Sequence, residues 1–211
     1  SILFSEMLAI WCLAFWEHLG YPKKINIIEL GAGNGEMMCQ MIKVFERFNK
    51  FKDSSNYFIL EKSQFLKKIQ KKRLSLHKVS WIDSLNKLEN GPNIFLANEF
   101  FDALPIKQFI KKNNQWFEKK VKKTNKENFE MVDKLTNIKN LEKKIGINLN
   151  YKQEIIEFSP LAYKYLNTIS KKINIFKGGL LIIDYGYLEK KIKNSLQSVH
   201  KHKFNNIFKN F

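Results

Sequence analysis

The sequence predicts an α/β fold: a mainly parallel sheet with helices on both faces, and a hairpin and helical insertion after the fourth strand. Three observations carry this. Short apolar runs alternate with helical patterns along most of the 211 residues, the signature of a parallel sheet wrapped by its own connections. The first run breaks into Gly31-Ala32-Gly33-Asn34-Gly35 and then into a helical pattern from Glu36. A second run ends at Glu61, after one helix and a loop, which is the spacing of a β-α-β unit.

The elements follow in order. A helix over 3–19 carries a ten-residue apolar run from Met7 to Trp16. That run is too short to span a bilayer, Glu6 and Glu17 flank it, and no basic segment precedes it. It reads as a core helix packed across the sheet. Strands are expected at 26–30, 57–60, 76–80, 93–97 and 180–184, and helices at 36–49, 63–73 and 160–173. Pro160 suits a first helical turn, with Ser159 as its N-cap. After the fourth strand, 106–121 alternates around Asn113-Asn114 with Phe109, Trp116 and Phe117 as apolar members, which predicts a hairpin. Residues 124–150 are polar, rich in Lys and Asn, and weakly helical. The whole reads as one domain over 1–211 with an insertion at about 106–150.

The glycine turn is the most informative segment. Its glycines let the backbone turn sharply and approach a ligand that a Cβ would keep away. A dinucleotide fingerprint needs its third glycine at position 36. Here position 36 is Glu, which would oppose a pyrophosphate, and the third glycine is Gly35. The form Glu29-x-Gly31-x-Gly33-x-Gly35 resembles motif I of the class I S-adenosylmethionine (SAM)-dependent methyltransferases, whose ligand carries an amino acid and a sulfonium. Glu29 can accept hydrogen bonds from such an amino-bearing ligand. Glu61, 30 positions after Gly31, can accept from both ribose hydroxyls of an adenosine.

The fourth strand runs into Asn98-Glu99-Phe100-Phe101-Asp102-Ala103-Leu104-Pro105. This block, the glycine turn, Glu157-Phe158-Ser159-Pro160 and Leu181-Ile182-Ile183-Asp184-Tyr185-Gly186 occur in the same order as in the MidA family. The opening Phe4-Ser5-Glu6-Met7 with Trp11 is also similar to that family's entry helix, so the likeness covers nearly the whole chain. The resemblance implies a Rossmann-like class I methyltransferase fold with SAM as cofactor. The family includes a mitochondrial arginine methyltransferase of complex I assembly. The implied partner is therefore a protein substrate, with a complex I subunit as the family precedent. The implied compartment is the bacterial cytoplasm or, in a eukaryote, the mitochondrial matrix. Against the family's pattern the chain looks truncated at both ends: it begins at Ser1, and only a short tail follows the fifth strand. There Gln197-Ser198-Val199-His200-Lys201-His202 resembles the start of the family's next segment.

Composition narrows the field. Net charge is +17 and the pI is about 9.7, which invites a nucleic-acid reading. Lysine, however, is scattered along the chain, and arginine stands only at Arg47 and Arg73. Lys, Asn and Ile share A/T-rich codons, so genome composition explains the pattern without a polyanion partner. Specific nucleic-acid sites lean on arginine forks, so the expectation is salt-sensitive, non-specific binding only. Cys12 and Cys39 show no Cys-x-x-Cys spacing, and His18, His77, His200 and His202 no partner spacing. Neither a disulfide framework nor a metal site is expected.

An arginine acceptor is a planar cation that paired carboxylates can hold while one nitrogen attacks the sulfonium carbon. The candidate clamp is Glu99 with Asp102, with Asn98 bonding cofactor or substrate. Phe100 and Phe101 would wall the site and shield the sulfonium by cation–π contact. The class I resemblance implies an adenine contact at Trp81-Ile82-Asp83, after the third strand, where the Asp83 carboxylate could accept from the exocyclic amino group. The bland readings stand beside these: Asp102 as a turn cap, the two Phe as core, Asp184 and Glu157 as strand-end residues. Two rival functions stay open. One is methylation of RNA or a small molecule, although Asn-Glu-Phe-Phe is not the Asn/Asp-Pro-Pro-Tyr/Phe block that stacks a flipped base. The other is a non-catalytic binding protein or inactive fragment.

Overall fold

The structure, a computed structural model, describes residues 1–124, 128–146, 148–149, 153–186, 196, 198–200, 203–205 and 207–208. In chain order its elements are α1 (Ile2–His18), β1 (Ile25–Leu30), α2 (Glu36–Phe45), α3 (Asn49–Ser54), β2 (Ser55–Leu60), α4 (Gln64–Arg73), β3 (Val79–Ile82), β4 (Asn93–Asn98), β5 (Lys107–Lys112), β6 (Gln115–Lys123), β7 (Phe129–Leu135), α5 (Ile138–Ile145), β8 (Ile155–Phe158), α6 (Pro160–Phe176), β9 (Gly178–Ile183), β10 (Ser198–His200) and β11 (Lys203–Asn205). They fall into two compact units, Ser1–Leu104 with Leu161–Tyr185, and Pro105–Pro160 with Gly186–Phe211.

The first unit holds a parallel five-stranded sheet in the order β3-β2-β1-β4-β9. β1 is central and buried along its whole length. Its side chains alternate between two cores. Ile25 and Ile27 join Ala9, Cys12, Met38, Phe45 and Phe51 under α1 and α2. Ile28 and Leu30 join Phe58, Leu60, Phe95 and Ile169 on the other face, which α6 covers. This is why the strands read as continuous apolar runs and not as alternating ones. The order reverses between β1 and β4, and in such sheets ligands bind at this switch point, beyond the carboxyl ends of the strands.

The α/β architecture matches the sequence expectation, with local corrections. The third strand is Val79–Ile82, not 76–80, because Leu76 is 93% exposed and His77 N–H still closes the turn after α4 onto Leu74 O. The helix expected over 36–49 ends at Phe45, and α3 follows as a separate turn. The apolar first helix buries one stripe, Leu8, Ala9, Cys12 and Trp16, while Ile2, Leu3, Met7 and Ile10 lie exposed. Only half of it is core.

The second unit holds an antiparallel sheet in the order β7-β6-β5-β8. β5 and β6 form the expected hairpin. Asn113 and Asn114 both have positive φ (45° and 61°), the conformation a two-residue turn of the primed type needs. Phe109, Trp116, Ile138 and Ile156 build a small core beneath α5. The stretch expected to be weakly helical contains a strand, β7, paired with β6 along its length, and then α5. Asp133 on β7 pairs with Lys112 and Lys119, so cross-strand charge pairing supports an edge that little apolar burial could hold. Ser198–His200 pairs with Lys203–Asn205 as a small hairpin. Gln197, Lys201 and His202 lie outside the described residues.

Candidate functional site

The carboxyl ends of the first unit's strands carry nearly all the residues singled out from the sequence. β1 runs directly into the glycine turn. Gly31 N–H extends the ladder to Leu60 O (3.0 Å), and Gly35 N–H closes the turn on Ala32 O (2.7 Å). Gly31 (φ 67°) and Gly35 (φ 81°) occupy the left-handed region, which an L side chain enters only at a cost. Space is short there too. A Cβ on Gly31 would stand 2.8 Å from Phe100 Cδ2, and one on Gly35 would stand 3.3 Å from Gln70 Cγ. At Gly33 no atom of the described residues lies within 4 Å of that position, so among them the crest of the turn is open to a ligand. Glu36 opens α2 in an ion pair with Arg73 and accepts from Gln40 Nε2. A carboxylate thus stands where a dinucleotide pyrophosphate would need positive charge.

Beneath the turn lies Glu29. It shares the α1/α2 face with Ile25 and Ile27 and is 4% exposed. It accepts from Met38 N–H, while its Oε2 has no partner among the described residues. Burial pushes its pKa up to about 8, against the opposing pull of the Met38 N–H. An orphaned buried carboxylate oxygen under the turn is the kind of atom that a polar ligand group satisfies.

Beside the turn, Glu61 caps β2. Its Oε1 accepts from the backbone N–H groups of Lys62 (2.9 Å) and Ser63 (2.8 Å). Its Oε2 accepts from Gln70 Nε2 (3.0 Å). The same Nε2 reaches Gly33 O (2.9 Å), and Gln70 Oε1 accepts from Trp81 Nε1 (2.9 Å). Gln70 is fully buried. It ties the glycine turn, the β2 carboxylate and the third strand into one network. The sequence reading missed it, yet a signal existed: Leu66, Gln70 and Leu74 stand four apart, with an amide in the middle of an apolar stripe.

Asp83 lies further out. It is exposed and pairs with Lys87 (2.9 Å), whose hydrogen bond holds its carboxyl below the usual range. It borders a cleft of about 130 Å³ with Lys62, Ser84, Leu85 and Tyr165.

Across the switch point, β4 ends in Asn98, which is half-buried, and then in exposed Glu99 and Asp102. Glu99 has φ 48°, a strained conformation for a residue with a side chain. It is held there: Glu99 N–H bonds Ile183 O (2.8 Å). Asp184 then takes the next turn, its Oδ2 accepting from Phe101 N–H (3.2 Å) and Asp102 N–H (3.1 Å), and its Oδ1 from Tyr185 N–H (2.9 Å). Asp184 therefore orders the Glu99–Asp102 loop from the neighbouring strand. The Phe100 ring sits against Gly31 and packs edge-on to Phe101 (5.3 Å) and Tyr165 (5.4 Å). No hydrogen bond or ion pair engages the Glu99 or Asp102 carboxylates among the described residues. Glu157 is on β8 of the second unit, its Oε1 accepting from Gln108 Nε2 (2.6 Å). The described residues contain no group of three or more His, Cys, Asp or Glu able to hold a metal, and no helix long and apolar enough to cross a membrane.

Comparison with known proteins fits this geometry. The Xenopus laevis mitochondrial protein arginine methyltransferase NDUFAF7 is 29% identical over 219 residues, covering 90% of this chain and 49% of its own length. The human protein of the same name is 26% identical over 215 residues, covering 89% and 48%. The chain thus spans about half the length of the curated relatives it matches. A Burkholderia thailandensis protein crystallised with S-adenosyl-homocysteine superposes with a TM-score of 0.60 at 21% identity, over 80% of this chain and 43% of that one. It shares the fold. Residues 7–211 match the family described as "Putative S-adenosyl-L-methionine-dependent methyltransferase". Because that match runs over nearly its whole length, the chain belongs to this family of SAM-dependent methyltransferases, the MidA family.

Proposed function

We propose that the chain works as a protein arginine N-methyltransferase of the MidA type, one methyltransferase domain over 1–211 with an insertion at about 106–150. One observation carries the reading: on one side of the switch point a closed hydrogen-bonded network braces the glycine turn, and on the other two exposed carboxylates, Glu99 and Asp102, have no partner among the described residues. The first suits a cofactor bound the same way each turnover, and the second suits a cationic acceptor that comes and goes.

SAM, when bound, supplies the methyl group as a sulfonium. The open crest at Gly33 and the orphaned Glu29 Oε2 fit a ligand of that kind. Gly31, Gly33 and Gly35 would give it backbone contact, Glu29 would face its amino end, Glu61 its ribose, and Asp83 its adenine. Glu99 and Asp102 would grip the guanidinium bidentately and hold one nitrogen in line with the methyl carbon. Asn98 would bond whichever partner lies between. Phe100 and Phe101 would exclude water and offer ring faces to the cation.

The substrate is then a protein. A complex I subunit is the candidate that the family suggests, met in the mitochondrial matrix of a eukaryote or the cytoplasm of a bacterium. Nucleic acid would bind only through diffuse lysine charge and fall away with salt. The test is transfer of radiolabelled methyl from SAM to mitochondrial or bacterial protein extract, read as methylarginine after hydrolysis. Label in arginine that disappears with Glu99→Gln supports the reading. Label in RNA would favour a nucleic-acid methyltransferase. Unchanged label in the Glu99→Gln variant would remove Glu99 from the chemistry.

A further inference from the structure

The bonds around Glu61 leave it almost no acceptor capacity. We propose that Gln70 is a positioning residue that makes ribose recognition one-sided: Glu61 takes one of the two hydroxyls, and the other goes without a carboxylate partner. This rests on the cofactor reading above and deepens it.

Hydrogen-bond valence carries the argument. An indole N–H can only donate, so Trp81 requires the oxygen of the Gln70 amide. That fixes which way the amide points and sends its nitrogen to Gly33 O and Glu61 Oε2. Both amide hydrogens are then committed. The side chain is fully buried, so water cannot take over either bond. On Glu61, two backbone N–H groups occupy Oε1 and Gln70 occupies one side of Oε2. A carboxylate offers about four acceptor positions, and three are filled. Gripping two vicinal hydroxyls ordinarily uses one position on each oxygen. Here Oε1 has none left and Oε2 has one.

Rotation of the Glu61 carboxylate does not free a second position cheaply. It would break backbone bonds to Lys62 and Ser63, and it would strand a buried amide hydrogen of Gln70. The same amide holds the Gly33 carbonyl, and α4 packs directly under the turn at Gly35. The ribose acceptor and the glycine turn therefore keep one fixed relation, set from a helix that has no motif of its own.

The test compares binding of S-adenosylhomocysteine with that of its 2′-deoxy and 3′-deoxy analogues, by calorimetry on the 211-residue chain. The expected result is that one analogue binds at least about tenfold more weakly while the other stays within about threefold of the parent compound. Equal losses from the two analogues would overturn the inference and leave the cofactor reading standing. No binding of the parent compound would overturn that reading, and the inference with it. Gln70→Leu, shown folded by circular dichroism, adds the readout a merely structural residue would not move. Freed of Gln70, Oε2 gains a second position, so the ratio between the two analogues should fall toward one even as overall affinity drops. An unchanged ratio would remove Gln70 from the role. The wild-type ratio decides the one-sidedness without any variant.

Discussion

The two halves of the candidate site are built on opposite principles. On the β1/β2 side every polar atom of Glu61 and Gln70 is engaged, and the network is buried. On the β4/β9 side the backbone is held as firmly, by Ile183 O and Asp184, but the carboxylates it presents are exposed and unengaged among the described residues. A strained Glu99 at φ 48° persists only because its surroundings over-determine it. The contrast teaches that order and occupancy are separate properties. The first half is braced by bonds within itself and keeps only the crest at Gly33, Glu29 Oε2 and one position on Glu61 for a ligand; the second presents whole carboxylates to a partner.

Variants can break or sharpen that contrast. The largest effect is expected from Glu99→Gln. It keeps shape and removes charge, so methyl transfer should fall by roughly 10²–10⁴-fold, while S-adenosylhomocysteine affinity changes less than about twofold. A parallel loss of affinity would merge the two halves into one.

Next comes Glu29, under the glycine turn. Its carboxyl pKa is raised from an ordinary value near 4.5 to about 8, so the folded state binds this proton more tightly than the unfolded chain. The stability it contributes is complete below about pH 4.5, declines as pH rises, and is gone above about pH 8. Glu29→Gln has no proton to lose. The melting temperature of the variant minus that of the wild type should therefore widen by roughly 5 °C or more between pH 5 and pH 8. A constant difference would mean that Glu29 is ionised throughout.

Asp184→Ala removes the acceptor of three backbone N–H groups without touching a carboxylate that would meet substrate. Turnover should fall about tenfold, with cofactor affinity unchanged. Asp83→Asn is expected to be mildest. The group is exposed and already paired with Lys87, so S-adenosylhomocysteine affinity should weaken about threefold, the worth of one exposed hydrogen bond.

The same contrast explains what the sequence could show. The glycine turn, Glu61 and the Asn-Glu-Phe-Phe-Asp block are contiguous, and their chemistry follows from residue type at fixed local spacing. Gln70 and Asp184 act across 37 and more than 80 residues of chain. An amide on a lysine-rich helix reads as surface until its place between Leu66 and Leu74 is noticed. Asp184 reads as the end of a strand; its task becomes visible only once β9 lies beside β4. β7 escaped for another reason. Phe-Glu-Met-Val-Asp-Lys-Leu lies mostly exposed with no clean apolar alternation, and its pairing with β6 rests partly on charges such as Asp133. Glu29 was legible as important, but not its burial, because a carboxylate at a strand end reads as solvent-facing until helices cover both faces of β1.

The most direct test is a calorimetric titration of the 211-residue chain with S-adenosylhomocysteine. A preorganised glycine turn and Glu61 network predict one site of micromolar affinity, about −8 kcal/mol. A chain that is folded by circular dichroism yet binds nothing would contradict it, and would show that the network is closed for stability and holds no cofactor.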